Sequence, residues 1–439
     1  MQTPSPLCAI DDESFAYETL KERMPHIVAK AVDVLCRHRQ KLADKHGQEG
    51  MEAAKKAIGC YSKLKHEFHA NKPLIPLTDN GPDVEIWNQY LEYQKTLLPD
   101  DANPKWTVCP WLFVECYLYR RVQEAMLISP PISYFDVFSE LKNENLFRSQ
   151  EAIIALCIHL HDLKKNLGSL NPEQRQEEFY RFLQVSLWAN KCDLSIFWDE
   201  ESHQKSSILD ALDSLKRYIV VNDMEPMCAT LMSKQIVGAA KMAKARVDIV
   251  LDNAGYELIT DFVLADAILT LEMATEVHFH GKSFPWFVSD ATKNDFDFAI
   301  QQTVGSHHKG ISKCGQAWKK YLKKGTWVYH DNMFWTLPHE FWRMEEVAPD
   351  LYAELKKSDL ILFKGDLNFR KLVGDRKWEF CTPFGQALKR FRPAPLCSIR
   401  TLKSDVQVGF EPRVEERLNR LEPDWMVIGK FGAIQFISF

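Results

Sequence analysis

The 439-residue chain has no C-x-x-C pair, no G-x-G-x-x-G turn and no uncharged apolar run near the roughly 18 to 20 residues that span a bilayer. These absences exclude thiolate zinc clusters, a dinucleotide fingerprint and a membrane-spanning helix. Its 11 cysteines, scattered from Cys8 to Cys397, read as reduced packing thiols rather than a disulfide framework. An excess of positive charge is also missing: 55 Lys and Arg stand against 60 Asp and Glu, a net charge of -5. No global field therefore draws nucleic acid or an anionic membrane, and an anionic ligand must meet a local basic cluster. The opening MQTPSPLCAIDDES lacks the basic start and apolar core of a secretory signal. The chain is expected inside the cell, in the cytoplasm and with the nucleus open to it. No internal repeat or low-complexity tract interrupts it.

What is present is a globular composition, 26% charged and 46% hydrophobic. Ile27, Ala31, Val34 and Leu35 recur at helical spacing, as do Ala53, Ala57, Tyr61 and Leu64. The stretch NKPLIPLTDNGPD breaks that pattern before two aromatic helices, one from Ile86 and one after Pro110. Glu115, Arg120 and Arg121 in the second read as a helix face anchored by ion pairs. Residues 1–214 are therefore expected to form a helical N-terminal region.

From 215 to 439 the texture changes to short β-rich runs between helical segments: YIVVND, VDIVLDN, EVHFHG, WVYHD, LILFKGD, CSIRTLK and WMVIGK. ELITDFVLADAILTLEMA, between the second and third runs, has the length of a right-handed crossover helix. The fold class is α/β: a mostly helical N-terminal region packed on a three-layer α/β/α domain with a largely parallel sheet.

Ligands of open α/β sheets bind beyond the carboxyl ends of the strands, and here those ends are polar. VDIVLDN ends in Asp252 and Asn253, followed by Gly255 and Glu257, and Asp290 lies in the loop after the adjacent strand. Two carboxylates and an amide oxygen suit a hard divalent cation and leave positions for water and substrate. LILFKGDLNFR supplies Lys364, Gly365, Asp366, Asn368 and Arg370, and CSIRTLK supplies Arg400, Thr401 and Lys403. These pair an acidic metal site with basic phosphate contacts. Taken singly, each is also an ordinary turn, cap or solvated edge; their joint placement on four strands carries the reading.

Rival chemistries lack parts. Ala254 stands where a haloacid-dehalogenase-type phosphatase needs its second aspartate. GISKCGQA has Gln316 and Ala317 in place of a phosphate loop's lysine and hydroxyl. HEFWR lacks the second histidine of a zincin. His278 and His280 share one strand face and read as packing or capping groups, and His307 and His308 as exposed loop residues.

At SLWANKCDLS, IVLDNAGYEL, the SD of WFVSD, LFKGDLNFRKL and IRTLK the sequence resembles the metal-dependent damage-control phosphatase family, the last segment resembling the R-T-x-K signature of its sugar-phosphate branch. The resemblance covers nearly the whole chain. It implies a manganese, cobalt or nickel ion on Asp252, Asn253 and Asp290. It also implies that Asp252, Asn253, Asp366, Leu367, Asn368, Phe369, Arg370 and Lys403 face a small sugar phosphate of the fructose 1-phosphate and fructose 6-phosphate class. Lys364 joins them as a charge neutraliser, and Asp366 is the candidate to orient water or protonate the leaving alkoxide. Asn190 and Asp193 match a further family segment, with a structural cap as an equal reading. An alternative implied by the same resemblance is S-adenosylmethionine-dependent methylation of protein carboxylates, with Glu257 and Asp290 as cofactor contacts. A third reading makes the helical half a protein-interaction module.

Overall fold

The computed structural model describes residues 3–99, 102–189, 208–235 and 245–439. Asn190 and Asp193 lie outside the described residues. The N-terminal region is helical, as its periodicity predicts: α1 (Phe15–Glu18), a π-helical turn (Thr19–Arg23), α2 (Met24–His69), α3 (Val84–Thr96), α4 (Trp111–Leu127), α5 (Ser139–Arg148), α6 (Gln150–Asn166), α7 (Pro172–Trp188) and α8 (Ile208–Leu215). Gly47, at φ 66°, breaks the backbone of α2. Helix α4 is buried nearly all round, so its charges are internal. Arg120 binds Asp79 and Asp83, Arg121 binds Glu67 and Glu124, and Glu115 reaches Arg370.

The remainder alternates strands and helices: β1 (Ile219–Asn222), α9 (Met224–Gln235), β2 (Arg246–Val250), α10 (Tyr256–Thr270), β3 (Glu276–Gly281), α11 (Lys293–Val304), α12 (Lys309–Lys324), β4 (Trp327–Asp331), α13 (Met344–Val347), α14 (Pro349–Leu355), β5 (Leu360–Lys364), α15 (Gly365–Val373), α16 (Phe384–Ala387), β6 (Leu396–Thr401), α17 (Val414–Leu421) and β7 (Gly432–Ile437). The sheet runs β1-β7-β6-β5-β2-β3-β4. All neighbours pair in parallel except β6 and β7. Every residue of β2, β5 and β6 is buried, as expected of strands covered on both faces.

One expected strand is absent. WMVIGK (425–430) is a turn: Trp425 is fully buried against Leu402, Phe410 and Phe431, and Gly429 takes φ 67°, which an extended strand does not allow. The strand comes directly after it, as β7.

The two larger apolar cores among the described residues lie on the two faces of the sheet, beside the small one around Trp425. One joins α2, α3 and α4 to residues 334–408, and the other joins α6 and α7 to α10, α11 and α12. Helix α10 is buried from Tyr256 to Ile268, as a crossover helix clamped between sheet and outer helices must be. The ten described cysteines are free thiols, and among the described residues no helix is long and apolar enough to cross a membrane.

Candidate active site

Beyond the carboxyl ends of β6, β5, β2 and β3 opens a pocket lined by Asp252, Asn253, Glu257, Asp290, Asp366, Leu367, Arg370 and Lys403, all expected from the sequence. Two loops build its acidic wall. The segment after β2 runs antiparallel to the end of the loop after β3, with Asn253 and Asp290 opposite one another. Ala254 N–H donates to Ser289 O at 2.7 Å and Ala291 N–H donates to Asp252 O at 2.8 Å, which fixes the two carboxylates relative to each other. The second loop turns through Phe287 and Val288 at φ 44° and 70°, a conformation that costs a non-glycine residue roughly 1–2 kcal/mol. Asn145 of α5 accepts the Tyr256 N–H at 2.8 Å and so caps the helix that begins just past Asn253.

The charges of the site are almost entirely paired. Lys282 Nζ stands 3.2 Å from Asp290 Oδ2, and Arg370 binds Glu115 at 2.6 Å and Asp375 at 2.8 Å. Arg400 donates to Asp366 at 3.1 Å and to Gln407 at 2.7 Å, with its guanidinium 3.4 Å from the centre of the Phe369 ring. Lys364 Nζ binds Glu257 at 3.0 Å and Asp261 at 2.8 Å, and the other Glu257 oxygen accepts from the Asn253 amide at 2.7 Å. Five carboxylates line the pocket: Glu115, Asp252, Glu257, Asp290 and Asp366. Only Asp252 has no cationic side chain within 4.0 Å among the described residues. Conversely, the lining cations Arg23 and Lys403 have no carboxylate partner there.

Burial, then the charges of Glu257 and Asp290, push Asp252 well above the carboxylate range; Lys282 and Lys403 offset this in part. Burial likewise raises Asp290, to about 6, against the pull of Lys282. Carboxylates crowded in this way are those a cation relieves. Gly365 adopts φ 82°, and a Cβ there would stand 2.0 Å from Asp252 Oδ2, so glycine is what lets the carboxylate pack against this turn, where Oδ2 also accepts from the Asn253 amide at 2.7 Å. With the side-chain oxygen of Asn253 and the carboxylate of Asp290 alongside, the donor set is all oxygen and fits a hard divalent ion.

Three expected contacts do not line the pocket. Lys364 lies beneath it, committed to Glu257 and Asp261 and to the Ser186 carbonyl at 3.3 Å. The Asn368 amide donates to the carbonyls of Leu251, at 3.2 Å, and Lys364, at 2.7 Å, tying α15 to the end of β2. Phe369 is a fully buried platform under Arg400. Alternation along β5 accounts for Lys364: the last strand residue faces the α10 side of the sheet, whereas Gly365 and Asp366 open the helix. Lining residues not named individually from the sequence are Arg23, Trp111, Ser186, Leu187, Phe287 and Ser289, together with Glu115, expected only as part of an ion-paired helix face. Ser186, Leu187 and Ser289 lie in segments that carry the family resemblance, whereas Arg23, Trp111 and Glu115 come from distant helical segments with no motif to flag them.

Away from this pocket, His278, His330 and Glu354 have ligand atoms within 4.8 Å of one another, close enough to share a cation. In the structure they satisfy one another and their neighbours. His278 and His330 share a hydrogen bond of 2.9 Å, and Glu354 binds Arg246 at 2.6 Å and Lys357 at 2.5 Å. His280 bonds Asp248 at 2.7 Å.

Comparison with known proteins places these features in context. Residues 19–418 match the damage-control phosphatase ARMT1-like domain. The chain is 56% identical over 435 residues to the damage-control phosphatase ARMT1 of Xenopus laevis, covering 99% of both. It is 54% identical over 434 residues to the protein of that name from Homo sapiens, covering 99% of this chain and 98% of the human one. A crystal structure of a DUF89 family protein from Pyrococcus horikoshii aligns over 89% of this chain and 92% of its own, at 14% identity and a TM-score of 0.41, too distant to bear on the site.

Proposed function

This chain belongs to the ARMT1-like damage-control phosphatase family, and on that premise we propose that it hydrolyses small sugar phosphomonoesters, of the fructose 1-phosphate and fructose 6-phosphate class, with a divalent ion as cofactor. The observation that carries the reading is the charge pattern of the pocket. Among the described residues, Asp252 is the one lining carboxylate without a cationic partner, beside Asn253 and Asp290, while Lys403 is a cation without an anionic one. A divalent metal complements the first and a phosphate the second.

Asp252, Asn253 and Asp290 would hold manganese, cobalt or nickel, which when bound supplies Lewis-acid polarisation of a phosphoryl oxygen. Lys403 neutralises charge on the phosphoryl group. Asp366 opens helix α15, where the helix dipole favours its carboxylate. Arg400 and the Lys403 backbone N–H, at 3.1 and 3.4 Å, hold Oδ1, leaving Oδ2 to orient the attacking water or to protonate the leaving alkoxide. Lys364 and Arg370 act through others: the first positions Glu257 and hence the Asn253 amide, and the second ties Glu115 to Asp375.

Carboxyl methylation is not favoured. Both oxygens of Glu257, which that reading assigns to S-adenosylmethionine, are taken by Lys364 and Asn253.

The test is phosphate release from a sugar-phosphate panel by chelator-stripped protein resupplied with manganese, cobalt, nickel or magnesium. Metal-dependent release is expected, falling by at least about a hundredfold in Asp252→Ala with an unchanged circular dichroism spectrum. Equal turnover in that variant refutes the metal assignment, and silence of the wild type across the panel refutes the phosphatase reading.

A further inference from the structure

We propose that Arg23, contributed by the N-terminal helical region, is the second cationic contact to the phosphate group of the substrate, opposite in origin to Lys403. The proposal deepens the phosphatase reading and rests on it. Its basis is the pairing of the site. Of the basic side chains in and under the pocket, Lys282, Lys364, Arg370 and Arg400 are each held by a carboxylate. Arg23 and Lys403 alone remain uncommitted among the described lining residues. A phosphomonoester dianion carries two charges, and one partly buried lysine meets only part of them.

The local backbone supports a functional position. Arg23 ends the π-helical turn Thr19–Arg23, closed by the Met24 N–H on Thr19 O, between α1 and α2. One extra residue in that turn rotates helix α2 by about 100° relative to an uninterrupted α-helix, a distortion that recurs at functional sites. Here it occurs where the helix passes the pocket mouth. Arg23 is exposed, so it carries no burial penalty to be repaid by an internal partner. Its planar fork can grip two phosphate oxygens at once, whereas Lys403 acts as a point charge.

Kinetics of the full chain with manganese and fructose 1-phosphate, and inhibition by inorganic phosphate, test this. In Arg23→Gln, KM and the inhibition constant for phosphate should both rise by about 10- to 100-fold, the weight of a hydrogen bond between charged groups, with kcat changed much less. Arg23→Lys should recover part of the loss. The manganese affinity and thermal midpoint of both variants should match the wild type, since Arg23 touches neither the acidic cluster nor a core. Unchanged KM and phosphate inhibition in Arg23→Gln would overturn the proposal. Calorimetry of inorganic phosphate on manganese-loaded protein keeps the two readings separate. If the wild type turns over no sugar phosphate, the phosphatase reading fails, yet equal phosphate affinity in wild type and Arg23→Gln would still count against Arg23 itself.

Discussion

Gly365 shows how one missing atom shapes the site. Its φ of 82° suits glycine, and the space a Cβ would occupy is taken by the Asp252 carboxylate. Gly365→Ala must displace Asp252, so metal-dependent activity should fall by about a hundredfold, the scale of a 1 Å misplacement, while global stability drops by only ~1–3 kcal/mol. Parallel activity assays and urea unfolding of the variant would check this. Single residues were also where the sequence was most and least informative. The convergence of Asp252, Asn253, Asp290, Asp366 and Lys403 on one pocket was legible because polar residues recur after several strands at once, although any one of them alone is an ordinary turn or cap. Lys364 was misjudged because its partners, Glu257 and Asp261, are on another element. Arg23 and Glu115 were out of reach because only the folded chain brings the turn before α2 and helix α4 to the strand ends.

Among elements, β2 is the least ordinary, a wholly buried strand that carries a charge at its centre. Burial alone would raise Asp248, but hydrogen bonds from His280 and Arg246 outweigh it and hold the carboxyl well below its usual 3.8. Because the folded value is depressed, this network stabilises the protein above about pH 4 and is lost as pH falls toward the folded value. Asp248→Asn should cost ~3–5 kcal/mol near neutrality, since it takes the anion from buried His280 and leaves buried Arg246 with Glu354 alone. Denaturant unfolding should show the gap between variant and wild type narrowing as the pH is taken down through 3.8. Periodicity located β2 and its neighbours but misplaced the last strand. WMVIGK has a strand's composition, yet what decides its shape is Gly429 and the burial of Trp425, and neither registers in an apolar run.

On the scale of the molecule, the change in texture near residue 215 marks a change of secondary structure, while the apolar cores cross it. Leu156, Leu183 and Trp188 belong to the same core as Val247 and Phe262, and Trp111 and Leu118 to the same core as Phe363 and Phe369. A fragment of residues 215–439 should therefore expose one side of each core and show no cooperative thermal transition and no phosphate release. A sharp calorimetric transition in that fragment would contradict this account of the cores.

The sheet order also constrains how the chain can be made. Among the described residues, strand β1 pairs only with β7, the seventh of the seven strands in chain order. During vectorial synthesis on the ribosome β1 emerges about halfway through the sequence and must wait for roughly two hundred further residues before its neighbour exists, leaving an unpaired strand exposed to misassembly. A nascent chain halted before Gly432 can assemble β2 to β6, with the pocket loops, but cannot seat β1. Closure of this edge therefore follows synthesis of β7, after β2 to β6 can already have assembled, and is the step at which chaperone dependence should be sought.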